Sequence, residues 1–161
     1  MKRAIAVSGA ILASALAFAG SSGALNAANH GAVCVAQAGS VEQAKVAYGL
    51  FGVHNVNTST SLVTECGAVL AKPGTVTGVA LTLYDRNSSA DVCCLINLQN
   101  AGGQVVSAAN RCSSGSSANA QFVQFNAPAG TVAATANLTC TIPPKTATGL
   151  SHVTSFSVGT Q

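Results

Sequence analysis

Six cysteines are the residues whose type and spacing most directly imply chemistry: Cys34, Cys66, Cys93, Cys94, Cys112 and Cys140. A structural zinc site would call for a C-x2-C pair or clustered imidazoles. No such pair occurs, and His30, His54 and His152 are scattered singly. An even set of cysteines in an exported chain reads instead as three disulfides. Adjacent strand residues point to opposite faces, so in Asp91-Val92-Cys93-Cys94-Leu95-Ile96-Asn97-Leu98 one sulfur looks inward and the other outward. Val92, Cys94, Ile96 and Leu98 are the more apolar set, which makes Cys94 the inward sulfur. A hairpin centred on Ala101–Gly103 brings Cys93 within one residue of register with Cys112. Cys94 then pairs with Cys140, which also faces inward, and Cys34 pairs with Cys66 by elimination.

Oxygen-bearing side chains form a second constellation. Asp85, Asn87, Ser89 and Asp91 occupy alternate positions of a polar loop, as at the start of a calcium loop. Ala90 stands where such loops need Gly, and no bidentate Glu follows, so a polar hairpin turn uses the same residues equally well. Calcium is the single cofactor that the sequence leaves open. His54 and His152 could act as acids or bases, but that needs an oriented nucleophile or a second acid within reach. No G-x-S-x-G elbow occurs, and both read as strand-edge surface residues. Aromatic rings are platforms for sugar faces. Without tryptophan, Tyr48 and Tyr84, with Asn and Asp neighbours, are the candidates for a carbohydrate site.

The elements that must position these residues are strands. Val79, Leu81 and Leu83 alternate with Ala80, Thr82 and Tyr84. Val132, Ala134, Ala136, Leu138 and Cys140 alternate with Ala133, Thr135, Asn137 and Thr139, which predicts an inward Cys140. Further strands are expected around Ala44–Asn55, Ser61–Leu70, Gln104–Arg111 and Gln121–Phe125. The last runs over Val153–Val158, with Val153 opposite Phe156. Lys72-Pro73-Gly74, Ala101–Gly103 and Pro128-Ala129-Gly130 read as turns. No helical period is sustained beyond the N-terminus. The expected fold is a single antiparallel β-sandwich, all-β, of jelly-roll or immunoglobulin-like type, with seven or eight strands and up to three disulfides.

Met1-Lys2-Arg3 followed by the uncharged run Ala4–Ala19 reads as a secretory signal peptide. It spans 1–24, with cleavage as late as residue 27 as the alternative. A flexible lead-in over 25–40 and the β-domain over 41–161 follow. Five basic residues (Lys45, Lys72, Arg86, Arg111, Lys145) then face four acids (Glu42, Glu65, Asp85, Asp91). Nucleic acid, which needs clustered Lys and Arg, is not expected as a partner. Neither is membrane insertion once the signal is removed. A surface with so little charge repels itself weakly and permits self-association.

From Tyr48 onward the chain resembles a group of small exported bacterial β-sandwich proteins with disulfides and uncharacterised function. The resemblance is carried by Gly52 and Asn55 before a Cys66 strand, by Val79-Ala80-Leu81-Thr82-Leu83-Tyr84-Asp85, by Cys94-Leu95-Ile96, and by Leu138-Thr139-Cys140-Thr141-Ile142-Pro143. Gly67 stands where members often carry Pro, and Cys93 with Cys112 is an added pair. The resemblance implies a secreted β-sandwich and transfers no catalytic residue. The sequence therefore points to a secreted or periplasmic, non-enzymatic structural or binding protein, self-associating through sheet edges or meeting a surface glycan. A carbohydrate-binding module is the alternative, and a hydrolase a third.

Overall fold

The structure, a computed structural model, describes residues 26–30, 34–38 and 40–161. The expected signal peptide, 1–24, lies outside the described residues. In chain order the elements are β1 (Asn26–His30), β2 (Val35–Ala36), a short helical turn α1 (Ser40–Gln43), β3 (Val46–Gly49) and β4 (Gly52–Asn55). Then come β5 (Leu62–Tyr84), β6 (Cys93–Gln99), β7 (Val105–Cys112), β8 (Gln121–Asn126), β9 (Val132–Ile142) and β10 (His152–Thr160). The 25–40 stretch, expected as a flexible lead-in, thus supplies two short strands, β1 on β10 and β2 on β5.

All the pairings are antiparallel, and hydrogen bonding runs β3-β4-β10-β5-β9-β6-β7. The 23-residue β5 joins two layers. Its first part pairs with β2 and β9, and its last part pairs with β10 and β8. Lys72-Pro73-Gly74, expected as a turn, lies inside β5 where its register on β9 jumps from Val69 to Gly74. Proline cannot donate to a ladder, so it is tolerated where pairing breaks, and a bent strand can pass from one sheet to the other. One core takes side chains from both layers: Leu62, Ile96, Leu98 and Leu138 meet Val53, Leu81, Leu83 and Phe156. This is a β-sandwich.

Two faces depart from simple alternation. In β10, Val153, Phe156 and Val158 are all buried, because the pairing with β5 slips between Val153 and Ser155 and leaves Thr154 as an extra residue. In β9, Ala136, Leu138 and Cys140 face inward as expected, but Val132 is exposed and Ala133 is buried. That inversion falls where β5 skips residues against β9.

The disulfides are Cys34–Cys66, Cys93–Cys112 and Cys94–Cys140. Cys93 lies directly across from Cys112 on β7, and Cys94 directly across from Cys140 on β9. The residue of register missing from the simple hairpin count is absorbed at Val106, where pairing moves from Leu98↔Ser107 to Gln99↔Val105. Cys94 and Cys140 are fully buried and Cys93 and Cys112 half-buried, so the adjacent sulfurs serve opposite faces of β6. Three disulfides belong to an oxidising compartment. Among the described residues no helix is long and apolar enough to cross a membrane.

Candidate functional site

Asp85 immediately follows β5, with its side chain turned inward and fully buried. Its two oxygens meet four donors: Asn87 N–H at 2.9 Å and the Ser151 hydroxyl at 3.2 Å on Oδ1, Val92 N–H at 3.2 Å and the Ser113 hydroxyl at 2.6 Å on Oδ2. Asn87 Oδ1 in turn accepts from Ser89 N–H and Ala90 N–H, while its amide donates to Pro144 O. Asp91 points elsewhere and accepts from Gly115 N–H. Of the loop read as a calcium candidate (Asp85, Asn87, Ser89 and Asp91), Asp85, Asn87 and Asp91 thus each accept from backbone amides or hydroxyls, and the two carboxylates serve different donors. Among the described residues no group of three or more His, Cys, Asp or Glu could hold a metal. The loop is a polar knot tying β5, β6 and β10 together.

That knot positions a second, outward-facing feature. Tyr84 precedes Asp85 and His152 follows Ser151, so alternation sends both rings to the outer face while the Ser151–Asp85 hydrogen bond clamps the strands on the inner side. Tyr84 and His152 are directly opposite on β5 and β10, and their rings stack at 4.6 Å with an 18° tilt. His152 is in turn opposite His54 on β4, with the rings edge-on at 5.3 Å. A row of three rings, one from each of three neighbouring strands, crosses the sheet. Ala47, across β3 from His54, continues the row with a methyl.

The two-residue turn Leu50-Phe51 overhangs this row. Gly49 and Gly52 close it as a pair. Gly52 has φ +108°, a conformation that costs glycine nothing. A Cβ there would collide with the carbonyl of Val153, so glycine is also what lets β4 lie against β10. Phe51, 66% exposed, ends 6.5 Å from the His152 ring. Across the row, Arg86 lies against Gly149, its backbone held by Ser151, Thr146 and Thr148. Phe51, His54, Tyr84, Arg86, Leu150 and His152 line a cleft of about 550 Å³. On the same face the next row toward β8 places Phe122, 83% exposed, opposite Thr82 and so diagonal to Tyr84.

The polar atoms of the cleft are under-used. Among the described residues His54 Nδ1 and His152 Nε2 are buried without a partner, while His152 Nδ1 faces Leu150 O at 3.3 Å. Burial holds both imidazoles below the usual histidine range. For His152 the Leu150 carbonyl opposes that shift, while the charges of His54 and Arg86 reinforce it. No nucleophile is hydrogen-bonded to either ring among the described residues: the Ser151 hydroxyl beside His152 is turned to Asp85 on the opposite face.

The two tyrosines are not neighbours. Tyr48 pairs with Val53 and therefore lies on the core-side face of the sheet, where its hydroxyl accepts from Ala36 N–H at 3.1 Å. Tyr84 is on the outer face, in the cleft. Two of the scattered histidines, read as separate strand-edge residues, are instead brought into contact by β10. Their signal in the sequence was the pair Val53-His54 and His152-Val153: a histidine beside a buried valine in a strand must face outward. What the sequence does not reveal is that β10 pairs with β4 on one side and β5 on the other.

No protein-family model matches the chain, and no curated protein sequence matches it. Among solved structures, a family two carbohydrate esterase from Cellvibrio japonicus aligns with a TM-score of 0.49 at 6% identity, over 86% of this chain and 34% of that one. The xylan-binding module CBM15 aligns with a TM-score of 0.45 at 11% identity, over 84% of this chain and 97% of the module. The enzymatically active domain of tailspike protein 4 from bacteriophage CBA120 gives 0.41 at 9% identity, over 85% of this chain and 18% of that one. The chain spans about a third of the esterase's length. Likeness at this level speaks to no activity.

Proposed function

We propose that the protein is an exported, non-enzymatic binding module that takes carbohydrate in the outer-face cleft between the Leu50-Phe51 turn and the Gly149–His152 segment. The observation that carries this reading is the cross-strand row of Tyr84, His152 and His54 overhung by exposed Phe51. Aromatic faces take up the apolar faces of pyranose rings. The Arg86 guanidinium at the cleft's border offers hydrogen bonds to hydroxyls, which is how small-molecule sites combine an apolar lining with a few polar groups. The cleft has room for one or two sugar rings, and Phe122 on the same face extends the platform. The absence of an oriented nucleophile beside either imidazole favours binding over hydrolysis. Three disulfides and the hydrophobic N-terminal run with its basic start favour export. A glycan array tests the reading: wild-type protein should mark a defined set of glycans and Tyr84→Ala should lose them, whereas Tyr48→Ala should retain them. Equal loss in both variants, or no glycan bound, would overturn it.

A second reading, self-association, rests on β7. This strand ends the hydrogen-bonding path, and Val105 and Val106 on it are exposed. An open edge of this kind is a template for pairing with another strand. Light scattering at high concentration decides it: a single monomeric species excludes assembly through that edge.

A further inference from the structure

We infer that the sugar this cleft prefers is an acidic one, carrying a carboxylate that pairs with Arg86. The inference rests on the carbohydrate reading above and narrows it to a ligand class.

The chain carries few charges, and most of those near the sheets are committed. Lys45 is committed to Glu42 at 2.7 Å. Arg111 donates to Gln124 O and Asn110 O and covers the Phe125 ring at 5.7 Å. On the acidic side, Glu65 accepts from Gln37, Asp91 accepts from Gly115 N–H, and Asp85 is saturated by its four donors. Arg86 differs. Its backbone is fixed on both sides, its stem rests on Gly149, and its guanidinium borders the cleft without a hydrogen bond or ion pair among the described residues. Among the described residues no carboxylate lines the cleft with it, since the side chain of the adjacent Asp85 turns into the core.

Arg86 is half-buried beside an aromatic stack and has no counter-charge among the described residues. Its planar fork of donors matches a carboxylate in a bidentate, charge-assisted pair. A pyranose seated on Tyr84 needs only an equatorial carboxylate at its rim to complete that pair. A neutral sugar would leave the guanidinium facing hydroxyls. The charge of Arg86 also reaches the His152 ring, which places the cation beside the aromatic row.

Titration calorimetry on the intact, disulfide-bonded protein with three probes tests this: oligogalacturonate, its fully methyl-esterified form, and neutral xylo-oligosaccharide. The acid form should bind about tenfold or more tighter than the ester, as expected for one charge-assisted bidentate contact. That advantage should shrink with added salt. Arg86→Gln should erase the difference between acid and ester while retaining ester binding, and Arg86→Lys should keep part of it. Equal affinity for acid and ester in the wild-type protein overturns the preference for acidic sugars but leaves a carbohydrate site standing. Binding of none of the three, together with an empty glycan array, removes the carbohydrate reading itself and this inference with it.

Discussion

Asp85→Asn is the perturbation that reports most on how the cleft is held. The substitution keeps volume and one acceptor oxygen, so no cavity opens, but it turns an amide N–H2 toward two donors. Whichever oxygen is replaced, one backbone N–H, of Asn87 or Val92, loses its carboxyl acceptor, and one serine hydroxyl must rotate to accept instead. A buried donor left unsatisfied costs about 1–3 kcal/mol, and exchanging a charge-assisted hydrogen bond for a neutral one adds to that, for a total of about 2–3 kcal/mol. The Val92 amide retains Ser113 Oγ at 2.9 Å, which keeps the figure below a full sum of lost bonds. In a domain of this size the corresponding fall in Tm is about 10 °C. Asp85→Ala, which removes both acceptor oxygens, should cost more, about 4–6 kcal/mol. Urea denaturation followed by tyrosine fluorescence measures both. Because Ser151 and Tyr84 are clamped through Asp85, the Asn variant should also loosen the Tyr84–His152 stack, visible as shifted ring resonances. A change of less than about 0.5 kcal/mol, within the range of ordinary surface substitutions, would refute the idea that this knot organises the site. Stability that rises with calcium and falls with chelator would refute the account of the loop.

Three further outcomes follow from the same geometry. Loop-closure entropy alone predicts that removing Cys94–Cys140, separated by 46 residues, costs about 4 kcal/mol and removing Cys93–Cys112, separated by 19, about 3 kcal/mol, so paired alanine variants should denature in that order and the reverse order would count against it. Gly52→Ala should destabilise by more than about 2 kcal/mol and release the Phe51 turn, since the new methyl meets the Val153 carbonyl at a positive φ; an unchanged urea midpoint would contradict this. Burial depresses the His54 and His152 pKa values, so the unfolded chain takes up more protons as pH falls. Their contribution to stability is therefore complete above about pH 6.5 and is lost as pH drops through that value toward the folded ones. Comparing midpoints at pH 7.5 and 5.5, the His54→Gln/His152→Gln double variant should show a shallower slope than wild type, and an identical slope would remove the claim.

The strands and the inward sulfurs were legible because they are local properties. Alternation at Val92-Cys93-Cys94 needs no knowledge of partners, and the short hairpin fixes Cys93 against Cys112 to within a residue. Wherever a bulge intervenes, alternation misleads: Thr154 in β10 reverses the phase on either side of it, and a sequence pattern cannot announce an extra residue. Pro73-Gly74 has the composition of a turn and sits instead in a strand that changes layers, because tertiary packing decides whether a broken ladder reverses the chain or bends it. The candidate site was legible in fragments. Tyr84 was singled out by its type, and Asp85 and Asn87 by their oxygens. The meeting of His54 with His152 depends on pairing between strands remote in sequence, and the unpaired state of Arg86 among the described residues on a neighbouring carboxylate being turned away, so neither was visible.

The central claim, that the outer-face cleft is the binding site, is tested most directly by adding oligosaccharide hits from the array to isotope-labelled protein and mapping the amide and ring shifts. The account predicts saturable changes confined to residues around Phe51, His54, Tyr84, Arg86 and His152, with Tyr48 and the face of the other layer, where Asn97 of β6 lies opposite Asn137 of β9, unmoved. Shifts centred on that opposite face or along the β7 edge, with the cleft silent, would contradict it.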